Sequence, residues 1–337
     1  MSVFGLRGLE LHNISKAFRK VMAVDGLTLH VPRASMFGLL GANGAGKTTT
    51  LRMILNILSP DSGSITWDGE PIGSIARSRF GYLPEERGLY PKMKTGEELV
   101  FLAGLNDVGT AEATKRVRNW LGRVGLADEW GRKVEELSKG NQQKVQVLAA
   151  LIHDPDLMLL DEPFSGLDPI NTEILRETLL QRRDEGRTII FSSHRLEQVE
   201  ELCDYIAIIH RGRLLTSGPL SDLKRQSGRA LVEIGFDLPA ESASALDPFV
   251  TGFGSHALVI RERRADSLRI ELGDGLTPDN VLQAALATGP GQIKRFEIVQ
   301  PTLQEIFLSA VGAVDPNAVE HLAAEGHLPG SHVLTEG

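Results

Sequence analysis

Apolar and polar residues alternate near the start of the chain, at Leu9, Leu11 and Ile14 and again from Leu27 to Val31. A period of two predicts half-buried strands. Met36 to Leu40 is apolar throughout and ends at Gly41, the pattern of a buried strand that stops there. After GANGAGKT, Thr49 to Leu58 has helical character, broken by Ser59-Pro60-Asp61-Ser62-Gly63. Residues 92 to 135 carry helical patterns with polar faces, among them Gly96 to Leu105 and Ala111 to Leu126, and read as a helical insertion. Strand and helix then alternate through Leu157 to Leu160, Asn171 to Glu185, Thr188 to Ser192, Glu197 to Cys203 and Ile206 to His210. That order predicts a mainly parallel sheet covered on its faces. From about Gly228 the pattern changes to strands at Ala230 to Phe236, Ala257 to Arg261 and Ser267 to Leu272, a helix at Pro278 to Ala287 and a strand at Lys294 to Val299. A helix from Leu303 to Val311 closes what reads as a small α+β domain, and residues 312 to 337, with little periodicity, read as a flexible tail.

Composition narrows the class. The chain has 337 residues, 42% hydrophobic and 24% charged, with a net charge of −8. These are ordinary values for a globular protein, and they disfavour non-specific nucleic-acid binding. Cys203 is the single cysteine, which excludes an intramolecular disulfide framework and favours a buried structural thiol over a reactive one. The N-terminus does not read as a signal peptide, and no apolar run approaches the ~20 residues of a membrane-spanning helix. Any work at a membrane is expected to belong to a partner.

Candidate chemistry begins at Gly41 to Thr48, GANGAGKT, a full match to the phosphate-binding pattern G-x-x-x-x-G-K-[ST] between a predicted strand and a predicted helix. Glycines 41, 44 and 46 let backbone N–H groups turn toward phosphate oxygens, and the following helix presents its positive end. Lys47 is placed to reach the β- and γ-phosphates and Thr48 to ligate Mg²⁺. At Leu157 to Glu162, LMLLDE, four apolar residues end in two carboxylates. Asp161 is then the Mg²⁺ residue and Glu162 the base that orients and deprotonates the attacking water.

Between these halves stands Leu137 to Gln142, LSKGNQ, similar to the signature motif LSGGQ of ABC ATPases. The stretch SKGNQQKVQVLAALIHDPDLMLLDEPFSGLDP resembles that family throughout, and the resemblance extends from residue 9 to about 225. It implies an α/β P-loop NTPase of ABC type over residues 1–227, with a helical insertion subdomain at about 92–140, followed by the small C-terminal α+β domain at 228–311. It also implies that Ser138 and Gly140 touch the γ-phosphate of ATP held by a second copy in a head-to-tail dimer. Asp168, in Ser165-Gly166-Leu167-Asp168, matches the loop that crosses the dimer interface, and His194 in FSSH matches the switch histidine at the γ-phosphate. Phe18 falls where the family stacks an aromatic ring on adenine, with a buried core phenylalanine as the competing explanation. The nucleotide-binding set is thus Phe18, Gly41, Asn43, Gly44, Ala45, Gly46, Lys47, Thr48, Thr49, Ser138, Gly140 and Asp168; Lys47, Glu162 and His194 are the catalytic set.

Two departures from the family stand out. GYLPEER places Glu85 where the family usually has glutamine, a hard oxygen donor that is also a possible Mg²⁺ ligand but brings negative charge toward the triphosphate. Lys139 and Asn141 replace the commonest signature residues. The resemblance implies ATP and Mg²⁺ as ligands, a separate transmembrane permease subunit as partner and no nucleic acid. It places the chain on the cytoplasmic face of the membrane. GYLPEERGLYPKM and QPTLQEIF resemble a bacterial branch that includes sodium-export and drug-export subunits, so export is favoured over import. The rival is a soluble ABC ATPase acting on DNA or ribosomes, against which stand the single cradle and the lack of sustained heptads between cradle and signature. A simple P-loop kinase or GTPase would not need LSKGNQ or His194. His321, His327 and His332 lack tight ligand spacing, and a tail is favoured there over a metal site. The cargo and the role of the C-terminal domain stay open.

Overall fold

A computed structural model describes residues 7–86, 88–193, 195–226, 231–238, 246–251, 258–273 and 275–315. The chain divides into two compact units, one of Met1–Leu220 with Phe307–Gly337 and one of Ser221–Ile306.

The first unit opens with β1 (Gly8–Phe18) and β2 (Val21–Pro32), antiparallel partners across a two-residue turn. The register sets Leu9 against Val31, Leu11 against Leu29 and Ile14 against Leu27. All six are buried on one face, because alternate side chains share a side of a strand. β3 (Met36–Leu40) is buried at every position and lies between two parallel neighbours, which explains its unbroken apolar run. It leads into α1 (Lys47–Ile54). This helix ends short of the predicted Leu58 because Asn56 turns left-handed at φ 53°, and the N–H groups of Ile57 and Leu58 close back on the Arg52 carbonyl. β4 (Ser62–Trp67) and β5 (Glu70–Pro71) complete a four-stranded sheet of order β2-β1-β4-β5.

β6 (Phe80–Leu83) precedes the helical insertion, α2 (Thr95–Gly104) and α3 (Thr110–Arg123). α3 stops before the predicted Leu126, at Gly125 with φ 71° and a Leu126 N–H to Leu121 carbonyl bond of 2.7 Å. α4 (Lys139–Leu151), β7 (Leu157–Asp161), α5 (Pro169–Asp184), β8 (Thr188–Ser193), α6 (Leu196–Leu202), β9 (Tyr205–His210) and β10 (Arg213–Pro219) follow. They build a six-stranded sheet of order β10-β9-β3-β8-β7-β6, parallel except for the β9–β10 hairpin. The phosphate loop and the carboxylates of residues 161 and 162 therefore emerge at the carboxyl ends of β3 and β7, with β8 between them, where open α/β sheets hold ligands. Cys203 is buried, and burial pushes its thiol pKa up.

α7 (Leu220–Gln226) leads into the second unit, with β11 (Leu231–Phe236), α8 (Asp247–Thr251), β12 (Leu258–Arg263), β13 (Ser267–Leu272), α9 (Pro278–Thr288) and β14 (Ile293–Val299). Its antiparallel sheet runs β12-β13-β11-β14. One face packs Val232, Ile234, Phe236, Leu268 and Ile270 with Val281 and Ala285 of α9. A reciprocal capping box between Thr277 and Asn280 starts α9. α10 (Leu303–Val314) runs beyond the predicted Val311, so residues 312–314 are helical where a tail was expected. Residues 316–337, with His321, His327 and His332, lie outside the described residues.

Candidate functional site

The turn after β3 depends on glycine at three points. A Cβ on Gly41 would meet the Ile209 carbonyl oxygen at 2.4 Å, and one on Gly46 the Ala23 carbonyl oxygen at 2.4 Å. Gly44 has open space but sits at φ 77°, a conformation glycine adopts without cost. Gly46 caps α1 in a left-handed conformation with no side chain on the exposed N–H groups, which leaves the helix start open to an anion.

Asn43 to Thr49, Ala23, Glu85, Asp161 and Glu162 line one cleft of 400 Å³. Within it Lys47 is nearly buried, and its ammonium donates to the carbonyls of Gly41 at 2.7 Å and Ala42 at 3.2 Å. Burial lowers its pKa, opposed in turn by the charges of Glu162, Asp161 and Glu85. Three acidic side chains thus surround one cation, and the sequence-predicted Glu85 is one of them. The Thr48 hydroxyl donates to one oxygen of Asp161 at 2.8 Å, and the Ser192 hydroxyl donates to the other. Ser193 donates to Glu162 at 3.4 Å. Glu162 has φ 51°, a strained conformation for a non-glycine residue, fixed by its N–H on the Ser192 carbonyl at 3.1 Å.

Other predicted residues lie elsewhere. Gly41 forms the base of the loop without lining the cleft. Phe18 ends β1 and is 45% exposed, so the buried-core explanation fails. Ser138 is the N-cap of α4, accepting from the Asn141 N–H at 3.2 Å, and neither it nor Gly140 lines the cleft. Gly140 lies instead beside the segment that carries Asp168. A Cβ on Gly140 would lie 3.7 Å from the Asn171 amide nitrogen, which donates to Asp168 at 2.7 Å. Asp168 caps α5, and the Asn171 backbone N–H is the main cause of its lowered carboxyl pKa. His194 lies outside the described residues.

Sequence reasoning missed two residues of α4. Gln146 donates to the carbonyls of Pro84 at 3.3 Å and Glu86 at 3.1 Å, on either side of Glu85. Gln143 donates to the Pro163 carbonyl at 3.0 Å, next to Glu162. Polar residues recurring on a helix that also carries Val145, Val147 and Leu148 were the signal available.

A parallel sheet carrying a phosphate loop, paired carboxylates at the neighbouring strand end and a helical insertion defines the class, and the comparisons agree. The ABC transporter family model matches residues 24–165, and the C-terminal domain of DrrA1-3-like ATP-binding proteins matches residues 218–311. The chain belongs to the family of ABC transporter ATP-binding proteins, whose ATPase domain binds and hydrolyses ATP to power a transporter in concert with transmembrane partners. It is 44% identical over 307 residues to the uncharacterized ABC transporter ATP-binding protein YhaQ of Bacillus subtilis, covering 91% of this chain and 99% of that one. The Nod factor export ATP-binding protein I of Paraburkholderia xenovorans is 35% identical, over 72% of this chain and 81% of its own. A solved ATP-binding subunit of an ABC transporter superposes with a TM-score of 0.62 at 32% identity, covering 66% of this chain and 93% of its own. Among the described residues no helix is long and apolar enough to cross a membrane.

Proposed function

We propose that this chain is the ATP-hydrolysing subunit of an exporter, acting at the cytoplasmic face of a membrane as a head-to-tail pair seated on a separate permease subunit. The observation that carries the reading is the separation of parts. One cleft holds Lys47, Thr48, Asp161 and Glu162, while Ser138 and Gly140 stand outside it at the start of α4. A second copy supplies the missing group when its Ser138 meets the γ-phosphate, and two-fold symmetry repeats the arrangement.

The donors fit Mg²⁺. The Thr48 hydroxyl and the Asp161 carboxylate are already 2.8 Å apart, and Glu85 adds a hard oxygen to the same cleft. When bound, Mg²⁺ offsets phosphate charge there. Lys47 exchanges its carbonyl partners for phosphate oxygens. Glu162 takes the proton of the attacking water as its oxygen bonds to the γ-phosphorus and the bond to the β,γ-bridging oxygen breaks. His194 contacts the γ-phosphate, Asp168 lies at the interface between copies and Phe18, exposed beside the strand that carries Ala23, receives the adenine ring.

A groove of 370 Å³ between the core and the helical insertion, lined by Leu55, Ile57, Phe80, Tyr82, Leu102 and Leu105, is the seat for the permease. Export is supported by the relative whose name states that role. Glu162→Gln tests the chemistry. ATP binding is expected to persist while turnover falls by about 10²–10⁴-fold, whereas Lys47→Ala weakens binding itself. A Glu162→Gln variant that hydrolyses ATP at the wild-type rate removes Glu162 as base.

A further inference from the structure

Between β9 and β10 the chain reverses through Arg211 and Gly212, with His210 paired to Arg213 across the turn. Both turn residues are left-handed, at φ 47° and 80°, as a type I′ hairpin requires. Glycine adopts this freely, but arginine does so at a cost. The turn is wedged against the nucleotide cleft. The Gly212 N–H donates to the Ala45 carbonyl of the phosphate loop at 3.0 Å, and the Gly212 carbonyl accepts from the Asp25 N–H at 2.9 Å. A Cβ on Gly212 would lie 2.9 Å from the Ala23 carbonyl oxygen, and both Ala23 and Ala45 line the cleft.

The opposite side of this turn meets Asp315, the residue after α10. Its carboxylate accepts from the His210 Nε2 at 3.2 Å and from the Arg211 guanidinium at 2.5 Å, and its N–H donates to the Val311 carbonyl at 2.8 Å. The Asp315 side chain is only 12% exposed, whereas that of Arg211 is 75% exposed. A carboxylate at a helix C-terminus is disfavoured by the helix dipole. Its carboxylate instead bonds to the turn, on an arginine held at φ 47°, so its contacts serve the turn and not the helix.

We propose that Asp315 is a positioning residue for the nucleotide. By holding His210 and Arg211 it fixes the turn whose Gly212 N–H braces Ala45, so the affinity of the phosphate loop depends on how the end of α10 is seated. The full-length protein is titrated with the fluorescent analogue mant-ATP and Mg²⁺, and KM and kcat are measured for ATP. Asp315→Ala and Arg211→Ala are each expected to weaken binding and raise KM about fivefold, with kcat within about twofold of wild type. The double variant is expected to be no weaker than Asp315→Ala alone, and Asp315→Glu to regain most of the affinity. A purely structural contact would lower the melting temperature and leave KM untouched. Wild-type affinity in both Asp315→Ala and the surface variant Arg211→Ala overturns the proposal.

Discussion

Glu98 is fully buried in α2, with one oxygen on the Tyr90 N–H at 2.7 Å and the other without a hydrogen-bond partner among the described residues. Burial raises its carboxyl pKa above the ordinary 4.5, against the pull of the Tyr90 N–H. The folded chain therefore holds this proton at a pH where the unfolded chain has lost it. Its stabilising contribution is complete below 4.5 and disappears as pH rises through the higher folded value. Glu98→Gln keeps an acceptor for Tyr90 without the charge. Denaturant midpoints measured from about pH 5 to about pH 8 are expected to show the variant gaining on wild type as pH rises; parallel curves contradict this. In the sequence Glu97 and Glu98 are adjacent carboxylates within the helical pattern of Gly96 to Leu105, and only the fold separates the exposed one from the buried one. The phosphate loop was legible because its spacing is local. The Arg211–Asp315 pair was not, since nothing nearby in the sequence marks it.

α4 acts as a strut between two loops of the cleft. Gln146 pins the carbonyls flanking Glu85, and Gln143 pins the carbonyl after Glu162. Gln146→Leu keeps the volume of a nearly buried side chain but leaves two carbonyls short of a donor, with an expected cost of about 1–3 kcal/mol. Because those carbonyls bracket Glu85, ATPase activity should fall as well; a denaturant melt and a turnover assay check both, and an unchanged variant refutes the strut. Four strands of the large sheet, β3, β7, β8 and β9, were legible as apolar runs, since both faces of a parallel sheet are covered; β6, an edge strand of four residues with Gly81 inside it, was not. β10 was not, being an edge strand of mixed burial with no clear alternation. The ends of α1 and α3 were misplaced because left-handed Asn56 and Gly125 end each helix inside an otherwise helical pattern.

At the scale of the whole molecule, sequence pattern placed an α/β nucleotide-binding body before an α+β body, and the fold has both. The DrrA1-3-like match covers the second of them. Which side chains share the cleft was partly legible. Lys47, Thr48, Asp161 and Glu162 followed from motif logic, whereas the hydroxyls of Ser192 and Ser193 that hold the two carboxylates come from a strand distant in sequence. Ser138 and Gly140 stand apart from that cleft, and the proposed head-to-tail pair rests on this separation. The direct measurement is the solution mass of full-length Glu162→Gln by light scattering, with and without Mg-ATP. A change from one chain to two on adding Mg-ATP, abolished by Ser138→Arg, is the predicted result. A mass that stays at one chain at saturating Mg-ATP, in isolation and with the permease subunit added in detergent, contradicts the account.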